Sequence, residues 1–259
     1  MSFAAGILAG KSAIVTGGAT GIGAYIVRKL GSLGAQVGIV SRKEENLQRA
    51  VAAFKADDGI EVNYRVGDVR DPELISGAIA SLAEQQGGLD YLVCNAAGNF
   101  ICPTEQLSAN GWKTVIDIDL NGTFHCCQAA LPFLKQAKDG GRIVSISTTG
   151  ANFGWPGAVH AGAAKAGIQN LMQSLSSEWG KYGVRANWIS PGPIEGTEGV
   201  DRLIIQQGFA EQSLKRIALG TFGEGDDIAN AVIFLCADTG KYISGAELVV
   251  DGGSQWHRR

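Results

Sequence analysis

"TGGATGIG", Thr16–Gly23, is the stretch that decides how this chain folds. It follows a short apolar run, "SAIVTG", and opens a helical pattern over 21–33, so its glycines stand at a strand-to-helix turn. Backbone N–H groups at such a helix start, with the positive end of the helix dipole, suit a pyrophosphate. Gly17, Gly21 and Gly23 permit the tight turn and close approach, with Thr20 and Ile22 between them. The spacing is G-x-x-x-G-x-G, which departs from the general G-x-G-x-x-G fingerprint. Alone, the turn would also read as punctuation between two elements.

Outward from the turn, apolar runs alternate with helical patterns. "AQVGIVS" precedes a helix over 44–56, "IEVNYRV" one over 72–86, and "LDYLVCN" one over 112–136. "GRIVSIS" is followed by a helix over 158–181, "VRANWIS" by an irregular stretch over 193–220, and a helix over 226–237 by "AELVVDGG". This alternation predicts right-handed βαβ units in one α/β domain spanning 1–259. It is a doubly wound parallel sheet of about seven strands with helices on both faces. The irregular stretch mixes Gly and Pro with later apolar residues, and is expected to be a mobile substrate lid.

Composition narrows the function. A formal net charge of -3 gives no broad basic surface for nucleic acid or an anionic membrane. No apolar run reaches the roughly 18 residues of a membrane span, and the opening "MSFAAGILAGK" has no basic leader. Five cysteines, an odd number without C-x-x-C, read as thiols of a reducing compartment, so a cytoplasmic protein is expected. No set of residues has metal-ligand spacing.

Three further motifs fall at strand ends: "GDV" at Gly67–Val69, "NAAG" at Asn95–Gly98 and "PGP" at Pro191–Pro193. In an open parallel sheet these ends line one ligand crevice. With Lys165 they make the chain similar to the short-chain dehydrogenase/reductase family over nearly its whole length. The resemblance implies a nicotinamide dinucleotide, with Asp68 and Val69 at the adenine. Asn95, Ala96 and Gly98 then lie along the ribose and central sheet, Pro191 and Gly192 beside the cofactor, and Ile194 and Thr197 near the carboxamide. Lys165 takes the nicotinamide ribose hydroxyls. For Asn95 a structural hydrogen bond between strands is equally open. At the end of the second strand Ser41 and Arg42 replace the acid that would hold a ribose 2′-OH. A hydroxyl and a guanidinium suit a 2′-phosphate, so NADPH/NADP+ is the expected cofactor.

The resemblance also places the family's Ser, Tyr, Lys and Asn at Thr148, Ala161, Lys165 and Asp119. Reducing a ketone leaves a basic alkoxide that needs an acid within reach, and alanine is none. Reduction of a C=C bond conjugated to a thioester spreads charge onto the thioester oxygen instead, and the proton goes to carbon. "NAAGNF", "DIDLNGTF", "VHAGAAKAG" and "PGPIEGTEG" resemble the 2,4-dienoyl-CoA reductases of peroxisomal type, which keep an Asp and the Lys without the tyrosine. That resemblance implies an acyl-CoA substrate and a homotetramer, with a water held by Asp119 and Lys165 giving the α-carbon its proton. The nearness of Asp119 and Lys165 is expected to favour the charged form of each. Asn121 is either a donor to the thioester oxygen or a local turn residue, and His160 either faces the pocket or packs inside. Two other functions stay open: a reductase of another carbonyl or enoyl substrate, and a silent NADPH-binding sensor.

Overall fold

In a computed structural model of the protein, the residues described are 3–197, 200 and 208–257. Seven strands form one sheet: β1 (Ser12–Thr16), β2 (Gln36–Ser41), β3 (Val62–Val66), β4 (Tyr91–Cys94), β5 (Arg142–Ile146), β6 (Arg185–Pro191) and β7 (Glu247–Val250). Their order is β3-β2-β1-β4-β5-β6-β7 and every pairing is parallel. The order reverses between β1 and β4, where the carboxyl ends part and a crevice opens.

Strand alternation sorts the core into two layers, as period-2 side chains require. Ala13, Val15, Val37, Ile39 and Val93 face one way, onto α1 (Gly21–Ser32), α2 (Glu44–Asp58) and the late helix Gly225–Cys236. Ile14, Val40, Leu92 and Cys94 face the other, onto α3 (Pro72–Gln85) and two helices described below.

The pattern predicted as one helix over 112–136 is three pieces. It starts earlier, because Ser108 caps α4 (Ala109–Ile116), its Oγ accepting from the Gly111 N–H at 3.0 Å. A π-helical turn, Asp117–Asn121, then leads into α5 (Gly122–Leu134). The Gly122 N–H reaches back five residues to the Asp117 carbonyl, and Thr123 Oγ1 donates to the Asp119 carbonyl at 2.6 Å. Such turns insert a residue into the helical ladder and re-aim the side chain at that point. Here the side chain is Asp119.

α6 (Val159–Trp179) lies close to its predicted bounds. Of the predicted lid, residues 198, 199 and 201–207 lie outside the described residues, and within the rest Ala210–Leu214 forms the short helix α7. α8 (Gly225–Cys236) opens with a reciprocal cap between Glu224 and Asp227.

Candidate active site

The cradle for a dinucleotide is built by the turn between β1 and α1. Gly17 and Gly21 have φ of 65° and 53°, the left-handed region that favours glycine. A Cβ on Gly23 would stand 2.3 Å from the Gly17 carbonyl oxygen and 2.6 Å from Asn95 Nδ2. Thr20 precedes α1 without capping it by its side chain, and the first turn carries no acidic residue. The first N–H groups of a twelve-residue helix are thereby left to an anion. These features fit a pyrophosphate. Gly23→Ala is expected to force the turn open at a cost of about 1–3 kcal/mol. With that strain on the bound state, affinity for a nicotinamide dinucleotide in a direct titration is expected to drop roughly tenfold or more. An unchanged affinity would place the pyrophosphate elsewhere.

Asn95, expected along the ribose, is tied into this turn. Its Nδ2 donates to the carbonyls of Thr16 and Gly17, each at 3.1 Å. The backbone N–H groups of Asn95 and Ala96 both donate to Thr16 Oγ1. With its amide donors spent there, Asn95 joins β4 to β1, the structural bond held open beside the ribose contact. Gly98 also belongs to a different part of the site, because its N–H donates to Asp119 Oδ1 at 2.8 Å.

Asp68, expected at the adenine, is held by its neighbour. Arg70 Nε lies 3.0 and 3.1 Å from its two carboxylate oxygens, and this pairing keeps the Asp68 carboxyl below the usual range. Val69 is buried, and its carbonyl accepts from His125 Nδ1 at 2.9 Å. Ser41 ends β2, and Arg42 beside it is exposed, with no hydrogen bond or ion pair to another described residue. On the far side Gly192 follows Pro191 and packs against Asp251, where a Cβ would lie 2.8 Å from the Asp251 Cα. Ile194 pairs with Gly223 in an isolated bridge, and Thr197 Oγ1 donates to the Ile194 carbonyl at 2.7 Å. The two residues expected at the carboxamide thus fix each other.

The chemical end is a buried pair. Lys165 Nζ donates to the Ile146 carbonyl at the end of β5 at 2.8 Å and stands 3.5 Å from Asp119 Oδ2. Asp119 is 1% exposed and Lys165 7%. Each ion has one oxygen or nitrogen fixed by a backbone group, which compensates part of the cost of burying charge. Lys165 favours the Asp119 carboxylate, in the expected direction. Burial outweighs Lys165 and the Gly98 N–H, so its carboxyl is raised above the ordinary value and holds its proton to higher pH.

Thr148, at the serine position, is half-buried and accepts from the Gly150 N–H at 3.3 Å, leaving its own hydroxyl proton to donate. Asn121 lies at the surface end of the π-helical turn. It is exposed and its Nδ2 donates to Asp117 Oδ1 at 2.9 Å, because two steps along the π-helical turn carry it away from Asp119. This is the local role held open beside that of a thioester donor. His160 is 0% exposed, edge-on to Phe100 with ring centroids 4.4 Å apart. Ala161 is buried with Val115 and Ala158, against Phe100 and Trp155, so an apolar wall occupies the tyrosine position.

Sequence reasoning missed that wall, although "NAAGNF" contains Phe100 and "ANFGWPGAVH" contains Trp155. It also missed the Ile146 carbonyl and the Gly98 N–H as anchors, since backbone groups carry no residue signature. Among the described residues no group of three or more His, Cys, Asp or Glu is placed to hold a metal. None of their helices is long and apolar enough to cross a membrane.

The crevice, the glycine cradle and the buried lysine define a nucleotide-dependent oxidoreductase, and the chain belongs to the short-chain dehydrogenase/reductase family. The family described as "Enoyl-(Acyl carrier protein) reductase" matches residues 17–255. A Bacillus subtilis protein named as a probable 2,4-dienoyl-CoA reductase, (2E)-enoyl-CoA-producing, is 40% identical over 95% of this chain and 96% of its own. An Arabidopsis thaliana peroxisomal 2,4-dienoyl-CoA reductase, (3E)-enoyl-CoA-producing, is 39% identical over 95% of this chain and 85% of its own. Among solved structures, a Bacillus anthracis short-chain dehydrogenase superposes with a TM-score of 0.86 at 37% identity, over 96% of this chain and 98% of that one.

Proposed function

We propose that the protein is an NADPH-dependent reductase of a conjugated C=C bond in a 2,4-dienoyl-CoA. One observation carries the reading: the Lys165–Asp119 pair is retained and anchored where an apolar wall replaces the phenol. The family membership and the names of the two relatives support the substrate class.

When bound, NADPH supplies the hydride. The glycine turn holds its pyrophosphate, and Lys165 orients the nicotinamide ribose while its charge stabilises the enolate oxygen that develops. Asp119 and Lys165 position a water beside the α-carbon, and the raised carboxyl returns to that water the proton it gives up. Thr148 donates to the thioester oxygen. Protonation at the α-carbon leaves the remaining double bond at carbon 3, whereas protonation at the γ-carbon would leave it at carbon 2. The first outcome is the one proposed. Turnover is tested by the joint fall of the cofactor and dienoyl absorbances, with the product double bond located by NMR.

Preference for NADPH rests on Arg42, an unpaired guanidinium at the end of β2 where a 2′-phosphate would lie. Arg42→Asp puts a negative charge there, and the ratio of kcat/KM for NADPH to that for NADH is expected to fall by about tenfold or more. A ratio that does not move toward NADH would remove the phosphate from this position.

The protein is further proposed to act in the cytoplasm as a homotetramer. All five cysteines are free thiols. Trp112 on α4 and Phe124 on α5 expose apolar rings that a second copy would cover.

A further inference from the structure

Arg70 commits its guanidinium to a residue two places away. Its Nε lies 3.0 Å from Asp68 Oδ1 and 3.1 Å from Oδ2, its Nη2 lies 2.5 Å from Oδ2, and its backbone N–H donates to Oδ1 at 3.0 Å. The Arg70 side chain is 42% exposed and that of Asp68 21%, and so local and open a pair adds little to folding. What it does fix is the carboxylate. The backbone bond closes an Asx-type turn that sets the direction of the side chain, and the guanidinium fork holds the carboxylate plane. An ionised carboxylate offers about four lone-pair positions, and Arg70 brings three N–H groups to them. Oδ1 takes the backbone N–H and shares Nε, so the position left open is on Oδ2. The segment itself is pinned at both ends: the Gly67 N–H donates to the Ser41 carbonyl at the end of β2 at 3.0 Å, and the Val69 carbonyl accepts from His125 Nδ1 on α5 at 2.9 Å. One residue beyond the Ser41–Gly67 bond stand Arg42 on one strand end and Asp68 on the other.

We propose that Arg70 is a positioning residue for base recognition, holding Asp68 so that its open oxygen position accepts from the exocyclic amino group of the cofactor's adenine. The inference rests on the dinucleotide reading that puts the adenine at Asp68, and adds to it the residue that makes Asp68 selective. An ionised carboxylate only accepts, so it favours a base edge that presents an N–H and rejects one that presents a carbonyl oxygen. The Arg70 bonds keep Asp68 in that ionised state, and the nearby charge of Arg42 acts in the same direction. They also order the side chain before the base arrives, which removes a rotamer cost from binding. The two arginines near this nucleoside then differ in use. Arg42 makes no hydrogen bond or ion pair with another described residue and is left for the 2′-phosphate, whereas Arg70 is already engaged by Asp68.

The test is a fluorescence titration of the full chain with NADPH, with NADH, and with the reduced hypoxanthine analogue of NADPH, whose base carries a carbonyl oxygen in place of the amino group. No acyl substrate is needed. The wild type should bind NADPH about tenfold or more tightly than the hypoxanthine analogue, the scale for one hydrogen bond to a charged group. Arg70→Gln should bring these two affinities within about twofold of each other, while the ratio of NADPH to NADH affinity holds. Asp68→Ala marks complete loss of the discrimination. Discrimination that survives in Arg70→Gln but not in Asp68→Ala would show that Asp68 acts without its neighbour, which overturns the proposal and leaves the adenine reading in place. Equal affinities in the wild type, or discrimination that survives in both variants, would put the amino group elsewhere and overturn both. A fall in the NADPH-to-NADH ratio in Arg70→Gln would put Arg70 on the 2′-phosphate, which also overturns the proposal.

Discussion

Replacing Asp119 by alanine is expected to lower kcat by about 100-fold or more, the usual scale for a positioned acid/base group, while NADPH affinity stays near that of the wild type. The side chain bonds the Gly98 N–H and faces Lys165, and neither contact belongs to the glycine cradle. Asp119→Asn separates chemistry from scaffolding. An amide oxygen still accepts from Gly98, so the loop after β4 keeps its place, but an amide has no proton to hand on. The two variants should therefore lose similar activity. Near-normal turnover in the asparagine variant would reduce Asp119 to an anchor. The pH dependence has a definite sign. Burial raises the carboxyl, so the proton-bearing form persists above the ordinary value of about 4. Activity is full below the raised value and falls as pH climbs through it. Steady-state kcat across pH, with cofactor titration alongside, checks both statements.

Much of the fold was readable because the signals are local and repeated. Alternating Val and Ile in "SAIVTG" and "AQVGIVS" mark strands buried on both faces, and β1 is buried at every position. The strand-end motifs follow β1, β3, β4 and β6 on the one edge of the sheet where all the parallel strands end, and the order reverses between β1 and β4. The π-helical turn was not readable: periodicity continues across "DIDLNGTF", and only the pairing of Thr123 Oγ1 with the Asp119 carbonyl and the Gly122 N–H with Asp117 reveals the extra residue. The local bond of Asn121 to Asp117 was hidden for the same reason. On an unbroken helix its aim relative to Asp119 would differ.

The approach of Asp119 to Lys165 was legible from spacing and resemblance, but not the balance of forces on it. A sequence shows two opposite charges and suggests mutual stabilisation. How completely the carboxyl is removed from water appears only once Gly98, Ile118 and α6 are packed around it, and desolvation then dominates. The apolar wall at Ala161 is likewise a tertiary fact, drawn from Phe100, Val115 and Trp155 on separate segments.

The second large effect follows from that wall. Ala161, Val115, Ala158, Phe100 and Trp155 offer no proton where a ketone's oxygen would need one. Uncatalysed protonation of an alkoxide in an enclosed apolar site is the step that fails, and loss of a positioned acid costs about 100- to 10,000-fold. On the proposed reading a dienoyl thioester avoids it, because its charge is delocalised onto the thioester oxygen, which Thr148 and Lys165 are proposed to stabilise, and its proton goes to carbon.

The decisive measurement is a comparison, on one preparation with NADPH, of a trans-2,trans-4-dienoyl-CoA with simple ketones and 3-ketoacyl thioesters. Cofactor and dienoyl absorbances should fall together with the first, and NMR should find a 3-enoyl product. The ketones should be turned over at least about 100-fold more slowly. Robust ketone reduction without dienoyl-CoA turnover would contradict the account.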